Sequence, residues 1–585
     1  MLATYASLLV VLASATVIGQ AVFAACGRRE WTPLAPAVGI AGLLGLAWAT
    51  VRIGGEGVSA MIAIGVVDAV ALGVLFRVGF SITRDDLLTS VAVGLGAVIA
   101  ASIPFAAGGH FGILGTGLNP DMSQHLIASD RLQFGGTDRL LVEGYPLGPH
   151  SLSIALTHLG PGIVSAFSAV TIAAPVILSV AALAALREVG LWTRMAVALL
   201  VGFAYMLASN HIQGAFKESL EALFVVAFVI GLTEISRNWG ELEPGRRRLL
   251  AGVPLAVLGI GAVYSYSFPG LLWIGGALLV WGAVELIRIS RAGAPGAASR
   301  ALRWTAPTLG VGLGVFAAGA LPEIGRMIEF SHFETFDPDG PGLGNLFNRL
   351  SPFESLGIWP SGDFRVEPGA GAAPAIVFYV GAAFGLAVLG YGLWWWWKRS
   401  ELVAPAAFAV ALALWLYTLL IGTGYQESKA LVIGAPLITL IGVRALAMHG
   451  PPIVLLAFLA AAGGSSALAL VNGPVGPGGY TPELRELARS GDLGDGSVYV
   501  TAPAELLDEQ HGSDYLTWEL RGNRICVGPE GSTPPAGISA ELSVGFDDDG
   551  AVVPVSGPVF RAQNAGKGPC PLVSDTGRAD PAGDD

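Results

Sequence analysis

The sequence predicts an all-α polytopic membrane protein of about 14 transmembrane helices with a small exterior α/β domain at its C-terminal end, and three observations predict it. Of 585 residues, 53% are hydrophobic and 13% charged, with a mean hydropathy of +0.64, too few charges to coat a soluble enzyme. Apolar runs of about 20 residues, enough to cross about 30 Å of hydrocarbon as a helix, recur as far as Leu470. From Val471 the chain becomes polar, passing from YTPELRELARSG, with a helical period, to the strand-like GSVYVTAP.

The runs fall at 5–25, 35–52, 58–77, 87–106, 164–186, 190–209, 217–235, 249–267, 269–289, 303–321, 374–395, 402–421, 427–447 and 451–470. The first imitates a signal peptide, with small residues at Ala21–Ala25 and then Cys26. Its positive charges, Arg28 and Arg29, follow the apolar stretch instead of preceding it, the mark of a retained helix. Short cytoplasmic connections carry the Lys and Arg excess, so the N-terminus is expected outside. Alternate connections should then be basic. They hold Arg77 and Arg84; Arg187 and Arg194; Arg237 with Arg246, Arg247 and Arg248; Arg288, Arg291, Arg300 and Arg303; Lys398 and Arg399; and Arg444. Trp394–Trp397 precede Lys398, at the headgroup level that aromatic rings prefer. An even number of crossings puts the tail outside as well, giving a multi-pass protein of the cell (inner or plasma) membrane with both termini exterior.

Three segments are expected: a transmembrane domain over 1–470 with exterior loops at 107–163 and 322–373, a small exterior domain over 471–572, and an acidic disordered tail over 573–585. An oxidising exterior would let Cys526 and Cys570 pair, contributing about 3–4 kcal/mol for a loop of that length; two free thiols are the alternative. Cys26 reads as a small apolar residue. The net charge of −12 argues against nucleic acid as a partner. No P-loop, strand-to-helix GxGxxG, HExxH or CxxC pattern occurs.

Topology sorts the reactive side chains by side, and they cluster outside: all histidines but His449, with Lys217 and Lys429 at exterior helix ends. The first long loop holds GLNPDMSQHLIASDRL, where Asp121 and His125 stand four apart and share a helix face. Asp121 is read either as a general base or metal ligand, with His125 orienting it, or as a helix N-cap. Glu143, Tyr145, Pro146, Pro149 and His150 form a rigid turn back into the membrane, either holding a pocket or simply re-entering. Asp130 and Asp138 stand beside arginines and read as solvated ion pairs. Lys217 and Lys429 are candidate phosphate partners or snorkelling side chains, with His211, Gln213 and Glu218 on the same rim. In loop 322–373, His332, Glu334, Trp359, Asp363 and Arg365 either line an acceptor groove, Trp359 stacking on a sugar, or belong to a surface lid.

The order D-x-x-x-H from Asp121, YPxGxH from Tyr145, QGxxKE from Gln213 and Y-x-x-S-K-A-L from Tyr425 resembles the bacterial GT-C type membrane glycosyltransferases, including the large actinobacterial enzymes that build cell-wall glycans. The resemblance implies a GT-C-like transmembrane domain, a polyprenyl-phosphate sugar donor, a glycan or lipid acceptor, transfer on the exterior face of the bilayer, and an essential acid in the first large exterior loop. By that likeness Asp121 is catalytic with His125. Glu143, Tyr145, His150, His211, Gln213, Lys217, Glu218, Trp359, Arg365, Tyr425 and Lys429 are expected to bind substrate. The sequence departs from the pattern in placing four helices before the acidic loop. NPDMSQH holds no adjacent carboxylate pair, so no metal site is assigned and a divalent metal is left open as a cofactor. A transporter or flippase of lipid-linked glycans should show charges or broken helices near the midplane, and only Glu234 and Glu285 read as lying in or near helices. A polymerase or ligase would share the donor and exterior site. A non-catalytic assembly subunit would not need the carboxylates.

Overall fold

The structure is a computed structural model. It describes residues 1–560 except 110, 116–118, 120, 136–137, 241–244, 293–295, 338–339, 341, 477–481, 491–492, 494–496, 509–511, 522, 535–537 and 548–551. Cys570, its pairing with Cys526, and the tail 573–585 lie outside the described residues. The chain divides into two units: Met1–Ala107 with Glu143–Asn472, and Gly108–Val142 with Gly473–Asp585. The loop expected at 107–163 is therefore divided, its first part grouping with the C-terminal segment.

The first unit is a helical bundle. Every apolar run forms helix, but the membrane-crossing count differs from fourteen: among the described residues, eleven helices are long and apolar enough to cross, or twelve if one bent pair counts as a span. Ala35–Val51 has 17 residues. Arg84–Ala101 opens on three charged residues, Arg84, Asp85 and Asp86. The run at 190–209 is broken into Leu191–Gly202 and Tyr205–Ile212, bent by 52°. At the break, Gly202 lies against Ser179 and the Pro175 carbonyl so closely that a β-carbon would stand 1.9 Å from Ser179 Oγ.

With lipid as solvent, helices associate through close packing and satisfied polar groups more than through apolar burial. Helices Leu2–Ala25 and Ala35–Val51 cross backbone to backbone at Gly19 and Gly39. A β-carbon on Gly39 would lie 1.7 Å from the Ala15 carbonyl oxygen, and one on Gly19 1.8 Å from that of Ala35. Helices Ile163–Ala182, Lys217–Asn238 and Gly424–His449 form the enclosed centre, whereas Glu56–Val78 and Phe268–Ala292 are largely uncovered by protein.

Lys217–Asn238 and Gly424–His449 pack side by side and are tied at both ends. Glu218 Oε1, in the first turn of one, lies 3.4 Å from Lys429 Nζ in the second turn of the other. At the far ends, Arg237 and Arg444 both bind Glu401 Oε2, Arg444 at 3.1 Å. N-terminus matches N-terminus, so the two helices run parallel. From Glu218 to Arg237 the axis rises about 29 Å, the depth of the hydrocarbon layer. These two ends are called the lysine end and the arginine end below. At the arginine end, connections expected on one side of the membrane meet: Arg28 pairs with Glu234 at 2.6 Å, and Arg399 with Glu401 at 3.1 Å. Burial alone would raise the Glu401 carboxyl, but the bond from Arg237 and the charges of Arg444 and Arg237 outweigh it and hold Glu401 below the usual carboxylate range.

The second unit is α/β. Strands Arg524–Pro529, Ser497–Ala502 and Ile538–Phe546 are parallel in that spatial order, with Val552–Pro554 and Val559–Phe560 antiparallel to the third. Val498, Val500, Ala540 and Leu542 are buried, as the alternation in these strands requires. Helix Asp121–Phe134 packs on Gly512–Glu519, and Ile113–Leu114 pairs antiparallel with Val475–Gly476.

The backbone crossing predicts that Gly39→Val lowers the thermal stability of the detergent-purified protein by about 1–3 kcal/mol, the range for overpacking. Gly42→Val, where a β-carbon would find its nearest neighbour at 3.9 Å, should leave it unchanged. Equal behaviour of the two variants would show that the crossing is not tight.

Candidate active site

The lysine end is built from two helix starts. T-G-Y-Q, residues 423–426, is a capping box: Gln426 N donates to Thr423 Oγ1 at 3.3 Å and Thr423 N donates to Gln426 Oε1 at 3.1 Å. Fixing the start at Gly424 sets Tyr425 and Lys429 four apart on one face, and Lys429 Nζ lies 4.0 Å from the centre of the Tyr425 ring. Lys217 opens the neighbouring helix, its Nζ 4.1 Å from the centre of the Tyr145 ring. Tyr145 stands in an aromatic collar with Phe330 at 5.6 Å, Phe333 at 5.8 Å and His150 at 6.0 Å between centroids, and Arg326 Nη2 donates to its carbonyl at 2.9 Å. Two parallel N-termini, each with its positive dipole end and a lysine on a tyrosine face, thus share one end of the bundle.

Carboxylates offset that charge. Glu218 pairs with Lys429. Glu221, one turn deeper on the same face, is 0% exposed, and neither of its oxygens has a hydrogen-bond partner among the described residues. Gly270 leaves it room, since a β-carbon there would lie 2.8 Å from Glu221 Oε2. Tyr266 lies in the field of Glu218, Lys429 and Glu221, beside a tight link where Ser267 takes a φ of +61° between two helices. Glu427 is buried but satisfied by Trp415 Nε1 at 3.2 Å and Arg349 Nη1 at 3.4 Å. The expectation that only Glu234 and Glu285 lie in or near helices is corrected. Glu221 and Asp68 are both helical, Asp68 midway along Glu56–Val78 and accepting from Ser14 Oγ at 2.6 Å.

The long loop folds onto this end. Asn345 Nδ2 donates to Gln213 Oε1 at 2.8 Å, Arg349 Nη1 to the Leu419 carbonyl at 3.0 Å, and Gln426 Nε2 to the Thr335 carbonyl. Several expected ligands make packing or anchoring contacts. Trp359 is 3% exposed with its ring against Phe378 at 4.8 Å, so its faces are not open to a sugar. Arg365 is forked onto Asp363, with bonds of 2.9 to 3.3 Å, and stacks on Phe347. His211 is buried, Nε2 3.1 Å from the Ala101 carbonyl, and Gln213 anchors the loop. His150 is fully buried between Phe167 and Phe216. Glu143 is half-buried at the start of the turn. His332 Nδ1 contacts the Ile328 carbonyl within its own turn, on an exposed surface.

Glu354, unremarked in SPFESLG, is buried beneath the loop. Oε1 accepts from Ser351 N at 3.0 Å and Oε2 has no hydrogen-bond partner among the described residues. Burial, joined by the negative charge of Asp363, pushes its carboxyl well above the usual range. The signal available in the sequence was the S-x-x-E capping box over Ser351–Glu354. For Glu221 it was a carboxylate three residues after Glu218 inside an apolar run.

In the second unit, Asp121 is the first residue of its helix and half-buried, while His125 on the next turn is buried. Asn119 serves the helix start, its Oδ1 accepting from Asp121 N at 3.1 Å and its Nδ2 lying 3.4 Å from Asp121 Oδ2. Asp130 lies 3.9 Å from Arg521 instead of pairing with its sequence neighbour Arg131. Asp138 caps its own turn through Leu140 N at 2.8 Å. Cys526 is buried in the sheet. Among the described residues, no three His, Cys, Asp or Glu side chains are grouped to hold a metal ion.

Lys429→Met should cost about 3–5 kcal/mol of stability, because it strands the Glu218 carboxylate without its counter-charge. Adding Glu218→Gln should recover most of the loss in the same denaturation assay. Glu354 predicts a pH effect whose sign is fixed. Its folded-state affinity for a proton exceeds that of the unfolded chain, whose carboxyl titrates near 4.5, so its contribution is complete below that pH and is lost progressively above it. Glu354→Gln, which keeps the acceptor for Ser351 N, should therefore flatten the fall in stability between pH 5 and 8. An unchanged slope would show that the Glu354 carboxyl is not raised by folding.

No family model matches the chain, and no curated protein matches it. Among solved structures it is similar to the arabinofuranosyltransferase AftD from Mycobacteria, seen by single-particle cryo-EM, at 16% identity with a TM-score of 0.46. The likeness covers 77% of this chain and 35% of that one, so the chain spans about a third of the length of that protein.

Proposed function

We propose that the chain is an integral-membrane glycosyltransferase of the cell envelope, moving a sugar from a polyprenyl-phosphate donor to a glycan or lipid acceptor on the exterior face. The observation that carries this reading is the lysine end. Two helix N-termini and two lysines at the edge of an apolar bundle make a site for a lipid-borne phosphate, since oriented N–H groups and compact cations both favour an anion there. The surrounding helices offer an apolar surface along which a prenyl chain can lie. Glu218 holds Lys429 in place before the phosphate arrives, and Tyr145 and Tyr425 orient the two ammonium groups.

In this reading Asp121, assigned from the sequence resemblance and steadied by His125 on the next turn, takes the proton of an acceptor hydroxyl. The hydroxyl oxygen attacks the anomeric carbon from the side opposite the phosphate. A new carbon–oxygen bond forms while the bond to the phosphate oxygen breaks, and the prenyl phosphate departs with the electron pair as the anomeric centre inverts. Lys217 and Lys429 stabilise the charge that grows on the leaving group, a role whose removal typically costs two to three orders of magnitude in rate.

The test is transfer from a synthetic prenyl-phosphate sugar by the purified chain. Asp121→Asn and Lys429→Gln are expected to lower kcat/KM by about 100-fold or more, with Lys429→Gln also weakening donor binding. Full activity of Asp121→Asn would remove the base assignment. The broken pair Leu191–Gly202 and Tyr205–Ile212, with Asp68 at mid-helix, favours a second reading in which the chain moves a lipid-linked sugar across the bilayer. Translocation of a fluorescent prenyl-phosphate sugar in proteoliposomes, without transfer to any acceptor, would support that reading instead.

A further inference from the structure

The arginine end carries a second cationic cluster that the proposed reaction does not use. Arg237, Arg399 and Arg444 converge on one carboxylate: Glu401 Oε2 accepts from Arg237 Nη2 and from Arg444 Nη1 at 3.1 Å, and Oε1 accepts from Arg399 Nε at 3.1 Å. Each guanidinium carries five N–H groups, and each gives one to Glu401. Among the described residues, Glu188 is the other carboxylate whose charge reaches Arg444.

The three arginines are not equivalent. The Arg444 side chain is 3% exposed, lies 4.5 Å from the Trp396 ring centre and 5.4 Å from that of Trp395, and its buried Nε has no hydrogen-bond partner among the described residues. The side chains of Arg237 and Arg399 are 34% and 38% exposed, and Arg399 also lies 4.9 Å from the Trp395 ring centre. The turn that brings Glu401 back over the helix end passes through Ser400 at a φ of +57°, a left-handed position that a serine rarely adopts. Glu401 N donates to the Trp396 carbonyl at 3.2 Å and closes that turn. Trp394 and Trp397 on either side are exposed, as interfacial tryptophans in contact with headgroups are.

The geometry points to a binding site at this end for the phosphate of an anionic phospholipid, held in the forks of Arg237 and Arg399 and backed by the buried Arg444–Glu401 pair. Glu401 aligns the forks by taking one donor from each and leaves the others for a tetrahedral oxyanion, which guanidinium groups bind bidentately. The exposed tryptophans and the position one hydrocarbon thickness from the lysine end favour a lipid over free phosphate as the source. This site is independent of the sugar-transfer reading, since no residue in it belongs to the lysine end.

The full-length protein, purified and reconstituted in phosphatidylcholine nanodiscs with a minor fraction of phosphatidylglycerol, would be released into neutral detergent and its retained lipids measured by native mass spectrometry. Phosphatidylglycerol should be retained over phosphatidylcholine. Arg237→Gln with Arg399→Gln, both at exposed positions that spare the buried pair, should reduce its retention roughly tenfold, the equivalent of one lost charge-assisted bond. Arg399→Lys, which keeps the charge and loses the fork, should fall between. Equal retention by wild type and double variant, or no preference for phosphatidylglycerol, would overturn the site. Displacement of the lipid by millimolar inorganic phosphate would overturn the lipid as its source. If the double variant does not fold, each single variant gives the same readout.

Discussion

The structure depends on one constraint: two parallel helices pinned by ion pairs at both ends, about one hydrocarbon thickness apart. Glu218 with Lys429, and Arg237 with Arg444 on Glu401, fix the register of Lys217–Asn238 against Gly424–His449. In lipid there is no hydrophobic drive to hold one apolar helix against another, so polar ties at the ends and small-residue contacts between them must set the arrangement. Sliding either helix by one turn would move its charges about 5 Å from their partners. Helices Ile163–Ala182, Val253–Tyr266, Ala375–Lys398 and Val403–Leu420 each pack on one or both members of this pair, and the two ends of the bundle acquire their opposite characters from it.

Parallel alignment has an electrical consequence. Both N-termini face one end and both C-termini the other, so the dipoles add instead of cancelling. The lysine end is thereby suited to an anion even before Lys217 and Lys429 are counted. The arginine end, where the dipoles are negative, needs its guanidinium groups for balance. Capping follows the same division: Thr423 and Gln426 satisfy one helix start, while Arg399 and Arg444 gather near the helix ends at the other side.

The buried carboxylates separate residues that hold the fold from residues open to chemistry. Glu401 and Glu427 are surrounded by donors, and their burial is compensated. Among the described residues, Glu221 and the second oxygen of Glu354 have no hydrogen-bond partner, and a fold carries such groups at a cost in desolvation. Glu221 stands one turn below the Glu218–Lys429 pair, nearer the lysine end than the middle of its helix, which associates it with that end more than with a path across the membrane. Asp68 has the opposite position, at mid-helix with Ser14, and the broken helix elsewhere in the bundle is the other feature that a transport reading draws on.

The sequence by itself determined the membrane class, the positions of the helices and the grouping of basic connections, because hydrocarbon depth imposes a run length and each helix must satisfy its own backbone. It also contained the local devices: the capping box before Lys429, the Tyr425–Lys429 spacing, and the S-x-x-E start at Ser351. Only the tertiary structure decided which distant groups meet. Segment 108–142 groups with the C-terminal unit through a pairing between Ile113–Leu114 and Val475–Gly476, a contact across more than 350 positions that no local period encodes. Trp359 and Arg365 looked like surface ligands because aromatic and charged residues in a long loop usually are; the fold also packs Trp359 on Phe378 and forks Arg365 onto Asp363. The break after Gly202 was hidden for the same reason, since the run stays apolar throughout and only close contact with Ser179 and Pro175 marks where the helix turns. Burial and partnership are properties of the packed chain, so the chemistry of Glu218, Glu221 and Glu354 became readable only when their neighbours were in place.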